Sequence, residues 1–162
     1  TSLLFSVYRD SLLNPLFYLR LFTHVLGHAD WGHYTSNFMI ILLIGPILEE
    51  KYGSKKILYM IILTAFITGL INVIFFPTSA LLGASGIAFM LILLSSFTNF
   101  KSGTIPLTFI VVAVAYIGNE ILKGVFSSDN ISQITHIIGG ICGAFFGYLM
   151  SKKQTKNNVA NF

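Results

Sequence analysis

Three short runs in this 162-residue chain carry side chains whose types and spacing could do chemistry. They are His33-Tyr34-Thr35-Ser36-Asn37, Gly83-Ala84-Ser85-Gly86 and His136-Ile137-Ile138-Gly139-Gly140-Ile141-Cys142-Gly143. A serine hydroxyl becomes a useful nucleophile when an adjacent base takes its proton, and a neutral imidazole suits that task near neutral pH. Ser85 and His136 are therefore the candidate nucleophile and general base. His33 and Asn37, one helical turn apart, could aim donors at the oxyanion of an acyl-transfer transition state. Each run is weak alone. A serine in an apolar helix usually bonds its own i−4 carbonyl, and Gly83-Ala84-Ser85-Gly86 lacks the second spacer of the soluble-hydrolase elbow Gly-x-Ser-x-Gly. Their force depends on whether the fold brings them to one level.

The elements that would do so follow from where charge is missing. Hydrophobic residues make up 54% of the chain and charged residues 10%, against roughly 25% charged in a soluble domain. Mean hydropathy is +0.78. This composition excludes disorder, coiled coil, collagen and a disulfide-rich scaffold, and the single Cys142 has no partner for an internal disulfide. Residues 31–48, 57–100, 102–119 and 130–151 contain no Asp, Glu, Lys or Arg. About 20 apolar residues cross a bilayer as a helix, and Phe76-Pro77-Thr78-Ser79 divides the longest window with a turn signal. Five spans are expected, near 33–50, 57–75, 82–98, 104–121 and 131–150, in an all-α polytopic membrane protein. The first, third and fifth spans share a direction, so the three polar runs fall at one depth. Ser85 and His136 would lie roughly 5 to 8 Å below the outer surface at 1.5 Å per residue. His136, Gly139, Gly140, Gly143 and Gly147 share a helix face, and small residues at this spacing let a second helix approach closely.

Orientation follows from the short loops. One side receives Lys51, Lys55, Lys56, Lys101, Lys152, Lys153 and Lys156, and the other Arg9, Arg20 and Lys123. The lysine-rich side is expected to be cytoplasmic. The net charge of +4 is then a topology signal and no nucleic-acid partner is expected. Residues 1–30 mix isolated charges with Phe5, Tyr8, Phe17, Tyr18 and Phe22, which suits an outer interfacial loop segment. The expected organisation is that loop at 1–30, a membrane core at 31–151 and a polar cytoplasmic tail at 152–162, the last expected to be disordered.

At these residues the chain resembles the rhomboid intramembrane serine proteases. The matching pieces are Leu19 to His28 with Arg20, His24 and His28, then His33-x-x-x-Asn37, Leu48-Glu49-Glu50-Lys51-Tyr52-Gly53-Ser54, Gly83-Ala84-Ser85-Gly86 and His136-x-x-Gly139-x-x-x-Gly143. The resemblance implies a Ser85–His136 dyad without a third carboxylate. It also implies an oxyanion hole from His33, Asn37 and the Ser85 backbone N–H, with His28 and Glu50 as scaffold. No cofactor or metal is implied. Substrates would be single-span membrane proteins, cut near their outer end at small residues in segments that unwind, at a site opening to the extracellular side of a bacterial plasma membrane. The family core has six helices, of which the first would precede Thr1. Two departures stand out: Leu19-Arg20 where the family usually has Trp-Arg, and Phe89 where it often has Tyr stacked on the catalytic histidine.

Three other readings fit parts of the pattern. A non-catalytic rhomboid-like module binding client helices would ordinarily lack the serine or the histidine, and this chain has both. A transporter is suggested by His136, Asn72, Asn119 and Glu120, but neither paired broken helices nor internal symmetry is evident. A metalloprotease is suggested by His24, His28, His33 and Asp30, yet no His-Glu-x-x-His occurs.

Overall fold

The computed structural model describes residues 2–97, positions 107, 110, 111 and 114, and residues 130–159. Its helices are α1 (Ser2–Phe5), α2 (Pro15–Thr23), α3 (Trp31–Tyr52), α4 (Ser54–Phe75), α5 (Ser85–Ser95) and α6 (Asn130–Val159), with a 3-10 turn at His24–Leu26. The described residues are all-helical apart from one antiparallel residue pair, Val7 with Leu81. The fourth expected span, 104–121, lies outside them except at Leu107, Ile110, Val111 and Val114, which are helical and exposed. Asn119, Glu120 and Lys123 are also outside.

Among the described residues two helices, Ser54–Phe75 and Gln133–Lys152, are long and apolar enough to cross a membrane. Helix α3 is equally long, but its first two turns carry His33, Tyr34, Thr35, Ser36 and Asn37. Helix α5 is shorter than the expected span 82–98. Its 11 residues rise about 16 Å, roughly half the hydrocarbon thickness. The chain reaches it through non-helical residues 76–84. Irregular backbone in a membrane protein is tolerated where it lines a polar cavity, and Leu81 and Leu82 of this segment do so. At the other end α6 continues as helix to Val159, where a disordered tail was expected.

Burial runs in the sense of a membrane protein. Phe38, Met39, Leu42, Leu43 and Ile47 of α3 face outward, as do Leu58, Ile62 and Ile74 of α4 and Ile141, Phe145 and Leu149 of α6, while Thr64, Thr68 and Asn72 are buried. Side chains that would be costly outward in water are cheap against lipid. The core between α3, α4, α5 and α6 contains Leu48, Tyr52, Met60, Ile87, Met90, Leu94, Cys142 and Phe146.

Helices α5 and α6 approach closely. A Cβ on Gly139 would fall on the carbonyl oxygen of Gly86, and one on Gly143 on that of Met90. Gly147 lies against the ring of Phe97. The glycine stripe therefore meets the serine-bearing helix, backbone against backbone.

Residues 2–26, expected as an interfacial loop, are more ordered than a loop. Asn14 caps α2 by accepting from the Leu16 N–H at 3.1 Å. Arg20, 2% exposed, donates to Asp10 at 2.8 Å and lies 4.5 Å over the ring of Tyr8. Val7, Phe17, Leu21 and Leu81 form a second small core. Arg20 thus holds this segment with Leu19 beside it in place of tryptophan.

Candidate active site

Ser85 is the first residue of α5. The first backbone bond into that helix runs from the Ala88 N–H to the Ala84 carbonyl at 2.9 Å. The amides of the opening turn precede it, and the positive end of the helix dipole lies at the serine. The sequence reading had Ser85 about a turn inside a longer span. Its position at a helix start is the more useful one for stabilising negative charge.

The segment leading into Ser85 is fastened on both sides. Val7 and Leu81 exchange backbone hydrogen bonds, both 2.8 Å, and the Gly83 N–H donates to the His24 carbonyl at 3.0 Å. Gly83 has φ +123°, a conformation for which glycine is suited. A Cβ there would also come within 2.7 Å of His33 Cε1 and 2.8 Å of Nε2. The imidazole of His33 therefore rests on the Gly83 backbone, two residues before the serine.

His33 is set by the start of α3. Asp30 caps that helix, its carboxylate accepting from the His33 N–H at 2.8 Å. One turn on, Asn37 is 6% exposed, and its Nδ2 has no hydrogen-bond partner among the described residues. An amide donor buried without a partner costs about 1–3 kcal/mol, so it is a group in want of an acceptor. His136 rides on α6 one turn before Gly139. The ring of Phe89 lies against it, with centroids 4.5 Å apart and planes at 41°. Phenylalanine retains the ring contact and lacks only the hydroxyl.

His33, Asn37, Ser85 and His136 all line one cavity of about 380 Å³. Ser36, Ile40, Leu81, Leu82 and Phe89 complete its wall. Ser36 and Ile40 were not singled out from sequence, although they lie three residues beyond His33 and Asn37 respectively, on the same side of α3. The other histidines sit elsewhere. His24 is buried, its Nδ1 3.3 Å from the Arg20 carbonyl and its Nε2 3.4 Å from Thr68 Oγ1. Burial holds its pKa down at about 4. The His28 ring meets that of His33 edge-on at 5.1 Å, and burial, followed by the nearness of His33, lowers its pKa. Among the described residues no three His, Cys, Asp or Glu side chains gather as a metal site. Asn72 bonds to loop backbone and not to a neighbouring helix. Glu50 is exposed near the end of α3.

The Rhomboid domain family matches residues 16–153. The chain is 31% identical to the rhomboid protease GluP of Bacillus subtilis, over 90% of this chain and 28% of that protein. It is 25% identical to the rhomboid protease GlpG of Haemophilus influenzae, over 86% and 73%, and 22% identical to the chloroplastic rhomboid-like protein 11 of Arabidopsis thaliana, over 80% and 51%. It thus spans about half or less of the length of several curated relatives. The match takes in α3, α4 and α5 and most of α2 and α6, and this chain belongs to the rhomboid family, whose members are integral membrane proteins.

Proposed function

We propose that this chain is the membrane core of a serine endopeptidase that cleaves single-span membrane proteins near their outer ends. Ser85 Oγ attacks the scissile carbonyl carbon while His136 accepts the hydroxyl proton. The oxyanion formed receives hydrogen bonds from Asn37 Nδ2, His33 and the Ser85 backbone N–H. Collapse of the tetrahedral intermediate expels the amine, which takes the proton from His136. Water entering the cavity then hydrolyses the acyl-enzyme by the same steps. A helical substrate hides its carbonyls in i→i−4 bonds, so the bond to be cut must first unwind. Small residues favour that unwinding.

The observation that carries this reading is the spare donor of Asn37 in a cavity shared with a serine at a helix start and a histidine. A membrane module that only binds client helices has no use for that donor. The accompanying topology is five crossings over 31–151, with residues 1–30 at the outer interface and 152–162 on the lysine-rich, cytoplasmic side of a bacterial plasma membrane. The test is cleavage of a membrane-spanning substrate in proteoliposomes, with labelling by a serine-directed fluorophosphonate. Ser85→Ala should lose both, and His136→Ala should lose cleavage. Cleavage at a rate close to the parent in either variant would reject the dyad. A parent chain that is folded but neither labelled nor active would favour the client-binding module.

A further inference from the structure

Asn72 stands in the last turn of α4, 2% exposed, and takes no part in the cavity wall. An amide nitrogen carries two N–H donors, and both are used on backbone carbonyls from different parts of the chain. One goes to Val7 O at 3.2 Å and the other to Ser79 O at 3.2 Å. Because both partners are acceptors, the nitrogen and not the oxygen of the amide must face them. Val7 belongs to the outer segment, and Ser79 to the turn that leads into Ser85. Two residues beyond Ser79, Leu81 pairs with the same Val7. Two residues further, Gly83 is bonded to His24 and supports the ring of His33. One side chain thus sits at the root of a connected set of ties, ending at the nucleophile and at an oxyanion donor.

We infer that Asn72 is a positioning residue for Ser85 and His33, joining α4, the outer segment and the serine-bearing loop into one rigid unit; this rests on the protease reading above. The segment 76–84 is not helical, and its local backbone bonds are confined to its two ends, where the Phe76 N–H reaches the Asn72 carbonyl, the Ser79 N–H reaches the Phe76 carbonyl and the Ala84 carbonyl accepts from the Ala88 N–H. Between those ends its placement depends on ties to other segments, to which the Asn72 side chain contributes the bond to Ser79. Without the two donors, the Ser79 carbonyl loses its bond to α4 and Val7 keeps only Leu81. The loop then samples positions displaced from the cavity, and the reacting groups spend less time aligned.

The test compares the parent with Asn72→Leu, which has similar volume and no donors, and with Ile74→Ala on the exposed side of the same helix as control. Turnover, KM and the rate of fluorophosphonate acylation are measured on the full chain in proteoliposomes. Asn72→Leu is expected to lower kcat and the acylation rate together by about 10- to 10²-fold, as misplacement on the ångström scale does, with KM little changed. Should Asn72→Leu fail to fold, Val7→Pro, which removes the N–H that Val7 donates to the Leu81 carbonyl and leaves the residues of α4 unchanged, is expected to give the same split. Near-parental kcat in a folded variant, or a loss that resides in KM, overturns the inference alone. A parent that neither labels nor cleaves overturns the catalytic reading and this inference with it.

Discussion

The contact between α5 and α6 offers a sharp test, because His136 and Ser85 are held on opposite sides of it. Consider Gly139→Ala. Besides striking the Gly86 carbonyl oxygen, the new Cβ would lie 2.8 Å from Gly86 C and 2.9 Å from its Cα. Carbon atoms rest at about 3.5–4.0 Å, so the helices must part locally by about 1 Å. The atoms struck are backbone, which no rotamer change can move aside. Overpacking of this kind costs about 1–3 kcal/mol. Catalysis should suffer more than stability does. Gly86 adjoins Ser85 and Gly139 is one turn from His136, so the separation opens beside the proposed dyad. A misplacement of about 1 Å there costs on the order of 10²-fold in kcat. The assay is cleavage of a spanning reporter in proteoliposomes, paired with thermal unfolding in detergent. Gly143→Ala, against Met90 O, should destabilise by a similar amount and slow turnover less, being a turn further from His136. The double variant should show less than the sum, since one separation relieves both clashes. Gly45→Ala is the control: its nearest neighbour would be Ile41 Cγ2 at 4.0 Å, and activity should be unchanged. Parental turnover in Gly139→Ala would refute the argument that this backbone contact sets the dyad.

Other consequences can be checked separately. Gly83→Ala combines an unfavourable φ with a clash against His33, and turnover should fall by about 10²-fold, the scale of losing one oxyanion donor; an active variant would separate His33 from the oxyanion. His33→Ala and Asn37→Ala should each cost about 10²–10³ in kcat, with fluorophosphonate labelling reduced but present. Phe89→Ala should lower turnover by removing the ring that orients His136, whereas Phe89→Tyr should remain active; equal losses in the two would discount the ring contact. His24 is neutral in the fold, with its pKa held at about 4 by burial, against 6.5 unfolded. Its share of stability is therefore complete above pH 6.5 and is lost as pH falls through about 4, a change of about 3 kcal/mol. Thermal unfolding in detergent between pH 7 and 4 should show this loss, and His24→Asn should flatten it; an unchanged slope would refute the assignment.

Much of the architecture was readable in advance because membrane solvent leaves few choices. The charge-free runs located α3, α4 and α6, since a helix is the simplest way to satisfy backbone groups in hydrocarbon. The turn at Phe76-Pro77 is where α4 ends. The small-residue face of α6 was legible from its spacing, and the helix it meets is the one that carries Ser85. What local pattern missed was the start of α5. Leu81 and Leu82 are as apolar as the residues after them, so hydropathy extends the span back to 82, whereas backbone pairing of Leu81 with Val7 holds that stretch out of the helix. The order in residues 2–26 was hidden for a similar reason: it depends on Arg20 meeting Asp10 and Tyr8, and on Asn72 from a distant helix.

Residue types and intervals alone therefore determined the lipid-facing character, the helical class, the glycine face and the four candidate side chains. These are properties of one helix at a time, set by periodicity and by the cost of polar groups in an apolar solvent. Only the tertiary structure decided that Ser85 opens its helix, that His33 leans on Gly83, that the Asn37 amide donor has no partner among the described residues, and that these groups with His136 border one cavity. Those relations join segments some fifty residues apart, and no local preference encodes a distance between them. They arise when backbones come into contact, and glycine is where that contact is closest.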